Sequence, residues 1–365
     1  MKIIVYAIAK NESKFVDRWM DSMSEADEVV VLDTGSTDDT VEKLRARGAK
    51  VTVETVEPWR FDSARNRSME LVPDDADILV CTDPDEVLLP GWRAALERAW
   101  KPGATTAMYE YVWSFNPDGT DDRKFTYEKV HAPGVCKWAH PVHEVLEYSV
   151  PKVTVRADMR LEHHPDPLKS RSQYLGLLEM SVSEDPADDR NLHYLGREYM
   201  FRGMYDKAVA ALRNHLACPN ATWAPERAQS MRFIGRCLRN TGDLDGAELW
   251  LRRAVDECPT RREPAYELMR LLYDRKDWRG VVETGRRMLS VTIRDMSYLT
   301  EQDAWGYGPH DVLSVAYWNL GDKASSLMHL RMAVETGGRL DRRVMDNARR
   351  LLGVCRTPSP GAPSP

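Results

Sequence analysis

The sequence predicts an α/β domain over residues 1–168, an all-α domain of helical repeats over 169–355, and a Pro/Ser tail at 356–365. Three observations carry this. Short β-branched runs alternate with segments of helical periodicity through the first part. Strand signals stop near Ser170, and helix follows helix from there. Small residues then recur at matching places, with Gly203 and Gly242 a step of 39 apart. A chain of 365 residues is long enough for two ordinary cores.

The first strand is Lys2 to Ala9, an apolar run broken by Lys10-Asn11-Glu12-Ser13. Phe15, Val16, Trp19, Met20 and Met23 then fall at helical spacing. Glu28-Val29-Val30-Val31-Leu32 is the second strand, and it runs into Asp33-Thr34-Gly35-Ser36-Thr37-Asp38. Thr37 or Asp38 suits the N-cap of the next helix, which carries Val41 and Leu44. Lys50 to Glu54 is the third strand, a helix covers Ser63 to Leu71, and Asp77 to Thr82 is the fourth strand. This alternation predicts a parallel sheet. In open sheets of that kind ligands bind beyond the carboxyl ends of the strands. Asn11-Glu12, Asp33-Thr34 and Asp83-Pro84-Asp85 all fall at such ends. Two carboxylates one residue apart form a hard-oxygen site suited to Mg²⁺ or Mn²⁺.

Val87 to Trp92 reads as a turn into a helix that ends near Trp100. Ala107 to Phe115 and Lys124 to Val130 read as paired strands around the turn Asn116-Pro117-Asp118-Gly119-Thr120. Four of the nine His lie in His140-Pro141-Val142-His143-Glu144 and Glu162-His163-His164. Position 147 is Glu, so the zinc-protease spacing His-Glu-x-x-His is absent.

These residues resemble the family 2 glycosyltransferases, enzymes with a GT-A (Rossmann-like) fold. The matching motifs are Ala7-Ile8-Ala9-Lys10-Asn11-Glu12, Asp33-Thr34-Gly35-Ser36-Thr37-Asp38, Phe61-Asp62-Ser63-Ala64-Arg65-Asn66 and Asp83-Pro84-Asp85-Glu86. The resemblance implies a nucleoside-diphosphate-sugar donor, UDP-linked by family frequency, with Mn²⁺ or Mg²⁺ on its diphosphate. It implies donor contacts from Ala7, Asn11, Glu12, Asp33, Arg65, Asn66 and Asp83. Metal contacts would come from Asp83, Asp85 and His164, with His163 as the other imidazole considered. Glu144 would be the general base and His143 would shape the site. The form Asp33-Thr34 departs from the paired acidic residues of many members and marks a subgroup. The acceptor would be a protein, a peptide or a saccharide, and the transfer inverting.

The helical half has units around Gly196, Gly235, Tyr273 and Tyr317, and it resembles tetratricopeptide repeats. Such repeats bury their apolar faces against neighbours and leave a surface for a peptide, an acceptor polymer or a second copy in a homo-oligomer. Trp305-Gly306-Tyr307-Gly308 reads as an exposed aromatic loop in an insertion between units. A net charge of −6 gives no basic bias toward nucleic acid. Six scattered Cys without a Cys-x-x-Cys, and no leader-like segment, suggest free thiols in a reducing cytoplasm. No apolar run reaches the roughly 20 residues of a membrane span. The alternative from another class is a non-catalytic repeat scaffold with a degenerate GT-A domain. A nucleotidyltransferase is disfavoured, because Ala9-Lys10-Asn11-Glu12 is not the Gly-rich basic loop such enzymes open with.

Overall fold

The computed structural model describes residues 1–167, 173–295, 297–337 and 341–351. The boundary expected at 168/169, the Pro/Ser tail and Cys355 lie outside them. The chain packs as two units, one of residues up to Leu195 with Ser297 and Tyr298, the other from Gly196 onward.

The first unit opens β1 (Ile3–Ala9), α1 (Val16–Ser22), β2 (Glu28–Asp33), α2 (Thr40–Ala46), β3 (Lys50–Val53), α3 (Phe61–Glu70) and β4 (Ile78–Cys81). It continues β5 (Glu86–Leu88), α4 (Trp92–Ala99), β6 (Thr106–Phe115), β7 (Asp121–His131), β8 (Cys136–Ala139), β9 (Val145–Tyr148) and β10 (Thr154–His163). Two helices close it, α5 (Tyr174–Glu184) and the start of α6 (Asp189–Phe201).

One sheet of eight strands runs β3-β2-β1-β4-β7-β6-β10-β5, with β8 and β9 as a separate pair. The first four strands are parallel, as the alternation predicts. β7 pairs antiparallel with β4 and with β6, so the whole sheet is mixed rather than parallel. The reason is local: β6 and β7 are joined by the tight Asn116–Thr120 turn, and a tight turn can only reverse the chain. Val87 and Leu88, expected within a turn, instead belong with Glu86 to β5, antiparallel to β10.

Every residue of β1 is buried, which is why its sequence is apolar throughout. Strand alternation sends Ile3, Val5, Ala7 and Ala9 toward Val16 and Trp19 of α1. Ile4 and Tyr6 face the other layer, with Leu79, Cys81 and Trp138. Tyr6 is pinned by His131 Nε2 and Trp138 Nε1, both at 2.8 Å. Ala9 pairs with Asp33, and Tyr6 with Cys81, so the carboxyl ends of β1, β2 and β4 share one edge.

The second unit continues α6 and adds α7 (Tyr205–Ala217), α8 (Ala224–Asn240), α9 (Leu244–Glu257), α10 (Arg262–Asp274) and α11 (Trp278–Leu289). It ends with α12 (Gly308–Asn319), α13 (Lys323–Glu335) and α14 (Arg342–Leu351). The repeat is physical. A Cβ on Gly196 would meet Leu212 Cγ at 2.4 Å, and one on Gly235 would meet Leu251 Cγ at 2.7 Å. Asp243, Asp277 and Asp322 each cap the second helix of a pair through their side chains. Gly203, Gly242, Lys276 and Gly321 take the left-handed conformation between paired helices, at steps of 39, 34 and 45 residues. The long last step holds the insertion. Its aromatic loop is not the exposed feature expected. Trp305 donates to Glu263 at 3.0 Å under Arg262, and Tyr307 donates to Asp341 at 2.7 Å.

Among the described residues no helix is long and apolar enough to cross a membrane. Cys81, Cys136, Cys237 and Cys258 are free thiols.

Candidate functional site

Asn11 follows β1 with a positive φ of 56°, a conformation Asn tolerates better than most residues. Its side-chain oxygen accepts from Thr37 N at 2.7 Å, and its own N–H donates to Ser36 Oγ at 2.8 Å. Glu12 is buried and its N–H donates to Thr40 Oγ1. Asp33 is fully buried. One of its oxygens accepts from Gly35 N and Ser36 N, and the other from Ser36 Oγ at 2.5 Å. Thus the first two loops hold each other in shape. Ala7, expected among the donor contacts, is fully buried on the α1 side of β1, because the strand's alternation turns it there.

The centre of the site is Arg65 on α3, 4% exposed. Its Nη2 donates to Asp83 at 2.8 Å and its Nε to Glu144 at 2.5 Å. Trp138 lies under the guanidinium at 5.2 Å. Arg65 therefore gathers the Asp83 loop and the Glu144 loop onto one cation. Burial opposes its charge, but Asp83, Cys81 and Glu144 hold its pKa well above the ordinary value. Asn66, the next residue, spends its amide on the Trp138 backbone, donating and accepting at 2.8 Å. It fixes β8 to α3.

Two residues with no role expected from the sequence, Lys129 and the motif's last residue Glu86, complete the network. Lys129 on β7 donates to Asp83 at 2.9 Å and to Glu86 at 3.0 Å. Glu86 is 1% exposed and also accepts from Tyr111 at 2.7 Å and from Asp83 N at 2.9 Å. Burial works against Lys129's charge, yet Asp83 and Glu86 raise its pKa well above normal. Burial also raises Asp83, but Arg65 and Lys129 outweigh it and hold the carboxyl far below the usual range. Glu86 moves the other way. Its burial, with Asp83 and Asp85 nearby, pushes it up despite Lys129. No local pattern marked Lys129: the ladder slips between Ala107 and Tyr109, so Phe125, Tyr127 and Val130 pack on one core and plain alternation does not place Lys129 with them.

Both Asp83 oxygens thus carry cations. Asp85 is different. Its carboxylate has His163 Nε2 at 3.4 Å and no Arg or Lys ion pair among the described residues. His163 stacks on Trp113 at 4.4 Å and contacts the Trp113 carbonyl through Nδ1 at 3.2 Å. Burial would lower its pKa, but Asp85 raises it overall. Of the two neighbouring imidazoles, His163 is the one that meets Asp85. His164, the expected ligand, turns its Nε2 to Glu162 at 3.2 Å and stacks on Phe115, since adjacent residues at a strand end face opposite ways. Its backbone N–H donates to the Asp85 carbonyl at 2.8 Å. A carboxylate oxygen beside an imidazole nitrogen is a donor set open to a divalent transition metal such as Mn²⁺, whereas Mg²⁺ favours oxygen ligands.

Glu144 sits on the loop between β8 and β9. His143 takes a φ of 55° and stacks on Tyr194 at 4.1 Å. His143 is therefore a loop-shaping residue here, next to the carboxylate that Arg65 grips.

Residues 4–142 match the model of glycosyl transferase family 2. Glu144 lies two residues and His163 21 residues beyond the match. A TPR repeat-containing protein of Synechococcus elongatus is 26% identical over 270 residues, which are 72% of this chain and 58% of that protein. The chain thus spans little more than half the length of that curated relative. Among solved structures, MamA aligns over 45% of this chain and 87% of its own, with 15% identity and a TM-score of 0.37. YrrB, described as a TPR protein with an unusual peptide-binding site, aligns over 49% and 82%, with 14% identity and a TM-score of 0.37.

Proposed function

We propose that the glycosyl transferase family 2 domain, joined to a helical region resembling TPR proteins, makes this chain a metal-dependent, inverting glycosyltransferase. The donor is a nucleoside-diphosphate-sugar, with UDP the first base to test. The acceptor is a hydroxyl or other nucleophile on a protein, peptide or saccharide. One observation carries the reading: Arg65 holds Asp83, from the strand-end loop expected to meet the donor, and Glu144 in one buried cluster.

In this reading Asn11, Glu12 and the Asp33 loop form the nucleoside side. Asp33 acts chiefly by fixing the loop, since its oxygens are spent on Gly35 and Ser36. Asp85 and His163 would hold Mn²⁺ or Mg²⁺, and the bound ion would offset charge on the departing diphosphate. Asp83, gripped by Arg65 and Lys129, is a positioning carboxylate rather than the main ligand. Arg65 aims Glu144 through its Nε contact. Glu144 then takes the acceptor proton as the acceptor atom bonds to the anomeric carbon and the bond to the diphosphate oxygen breaks.

The test is a thermal-shift panel of UDP, GDP and their sugar conjugates, with and without Mn²⁺. A ligand that binds only the native state raises its melting temperature by mass action. A Mn²⁺-dependent shift with one base supports the reading. No shift with any of them, at millimolar ligand, contradicts it.

A further inference from the structure

Glu144 stands on a short loop of unusual backbone, His140-Pro141-Val142-His143-Glu144. Two of its residues are non-glycine with positive φ, His140 at 78° and His143 at 55°. Such conformations cost of order 1–3 kcal/mol each and persist only where the surroundings fix them. The loop is fixed at four points. Glu144 meets Arg65, and the Pro141 carbonyl accepts from Phe61 N at 3.0 Å. His143 stacks on Tyr194. His140 Nδ1 donates to Asp188 Oδ2 at 2.9 Å, and the neighbouring Asn191 amide donates to the same oxygen at 2.5 Å.

Two of these four anchors, Tyr194 and the Asp188–Asn191 pair, come from α6 and the corner before it. They lie beyond residues 4–142, the stretch that matches the family model. The corner is itself rigid. Asp188 Oδ1 accepts from Asn191 N at 3.0 Å, as an N-cap does, while its other oxygen faces His140. Asn191 is fully buried, and its amide also reaches Ser181 Oγ at 2.7 Å on α5. The same carboxylate that starts α6 therefore holds the first residue of the Glu144 loop.

We propose that Asp188 and His140 are positioning residues for the transfer reaction, a clamp by which the α5–α6 corner sets the Glu144 loop against Arg65. The proposal rests on the reading of Glu144 as the base. The clamp is strongest with His140 protonated, because the pair is then ionic. The groups facing His140 are Asp188, Asn191, Arg190 and Glu147. The hydrogen bond that His140 donates to Asp188 raises the His140 pKa above its ordinary 6.5. A group whose folded pKa is raised contributes fully below its unfolded value and loses that contribution as pH rises through the folded one. The clamp therefore loosens on the alkaline side of 6.5.

Two variants of the full chain test it, Asp188→Asn and His140→Gln. The second leaves the α6 cap in place, so it reports on the clamp even where the first misfolds. Hydrogen exchange needs no donor. The amides of His140, Val142, His143 and Glu144 should exchange about 10-fold faster in both variants, with β1 and β4 unchanged. In wild type that protection should fall from pH 6 to pH 9 beyond the intrinsic base-catalysed rise, and in His140→Gln it should not. Where UDP release from a UDP-sugar with Mn²⁺ is measurable, kcat should fall about 10-fold or more while donor KM stays within about twofold. Wild-type exchange in His140→Gln would overturn the clamp. Glu144→Gln is measured in parallel. If that variant turns over normally, the base reading fails on its own. If it is inactive while His140→Gln exchanges and turns over as wild type does, the clamp alone fails.

Discussion

Lys129→Met removes the one ammonium shared by two carboxylates of the site. Lys129 is 5% exposed and Glu86 1%. The lost contacts are 2.9 Å to Asp83 and 3.0 Å to Glu86. Removing one partner of a buried pair costs about 3–5 kcal/mol, because the remaining charge has no water to turn to. Two features place this case at the lower end. Asp83 keeps Arg65, and Glu86 keeps the Tyr111 hydroxyl and the Asp83 N–H. Glu86 also escapes by taking a proton. About 3 kcal/mol lowers the melting temperature of a unit of this size by roughly 6–12 °C. The loss should depend on pH in a definite direction. Without Lys129 the Glu86 pKa rises further above its ordinary 4.5, where burial already pushes it. A carboxyl with a raised folded pKa binds its proton more tightly folded than unfolded, so stability falls as pH rises above the unfolded value. The deficit should be smaller at pH 5 than at pH 8, and Lys129→Met/Glu86→Gln should recover part of it at pH 8. Calorimetry at both pH values decides. A loss under about 1 kcal/mol, or one equal at both pH values, refutes the assignment of Lys129 as the counter-charge of a buried pair.

His163→Ala and Asp85→Ala should each abolish the Mn²⁺-dependent part of the nucleotide thermal shift, whereas His164→Ala should keep it; loss in His164→Ala alone would reverse the metal assignment. Asp33→Asn keeps one oxygen for the Gly35 and Ser36 N–H groups but weakens the charge-assisted bonds, so nucleotide affinity should drop about 10-fold by calorimetric titration. Gly235→Val forces a Cβ within 2.7 Å of Leu251 Cγ and should destabilise the helical unit by about 1–3 kcal/mol in denaturant unfolding, with the nucleotide shift unchanged.

β1, β2 and β4 were legible because they are buried almost throughout and so are largely apolar along their length, and the half-exposed edge strand β3 was legible from its β-branched residues. The strand-end loops were legible for the same reason, since polar residues stand out where such a run stops. β5 was read as a turn because Pro84 and Pro90 bracket three residues whose pairing partner, β10, lies far along the chain. β10 itself was missed because Arg160 and Glu162 interrupt it, and their partners, Glu110 and Asp121 among them, appear only after folding. Asp83 and Asp85 look alike in sequence. What separates them is Lys129, which reads as one more surface lysine until β7 is placed beside β4. The pairing of Arg65 with Glu144 was out of reach for the same reason: no local pattern joins α3 to the β8–β9 loop. The choice between His163 and His164 turned on strand alternation, which needs the end of β10 to be known to one residue.

The account stands most directly on Glu144. The decisive measurement is nucleoside diphosphate release by Glu144→Gln at saturating donor and acceptor, once the thermal-shift panel has fixed the base. The account predicts a rate about 10²–10⁴-fold below wild type with donor affinity kept, as loss of a general base requires. Turnover within a few-fold of wild type would contradict it.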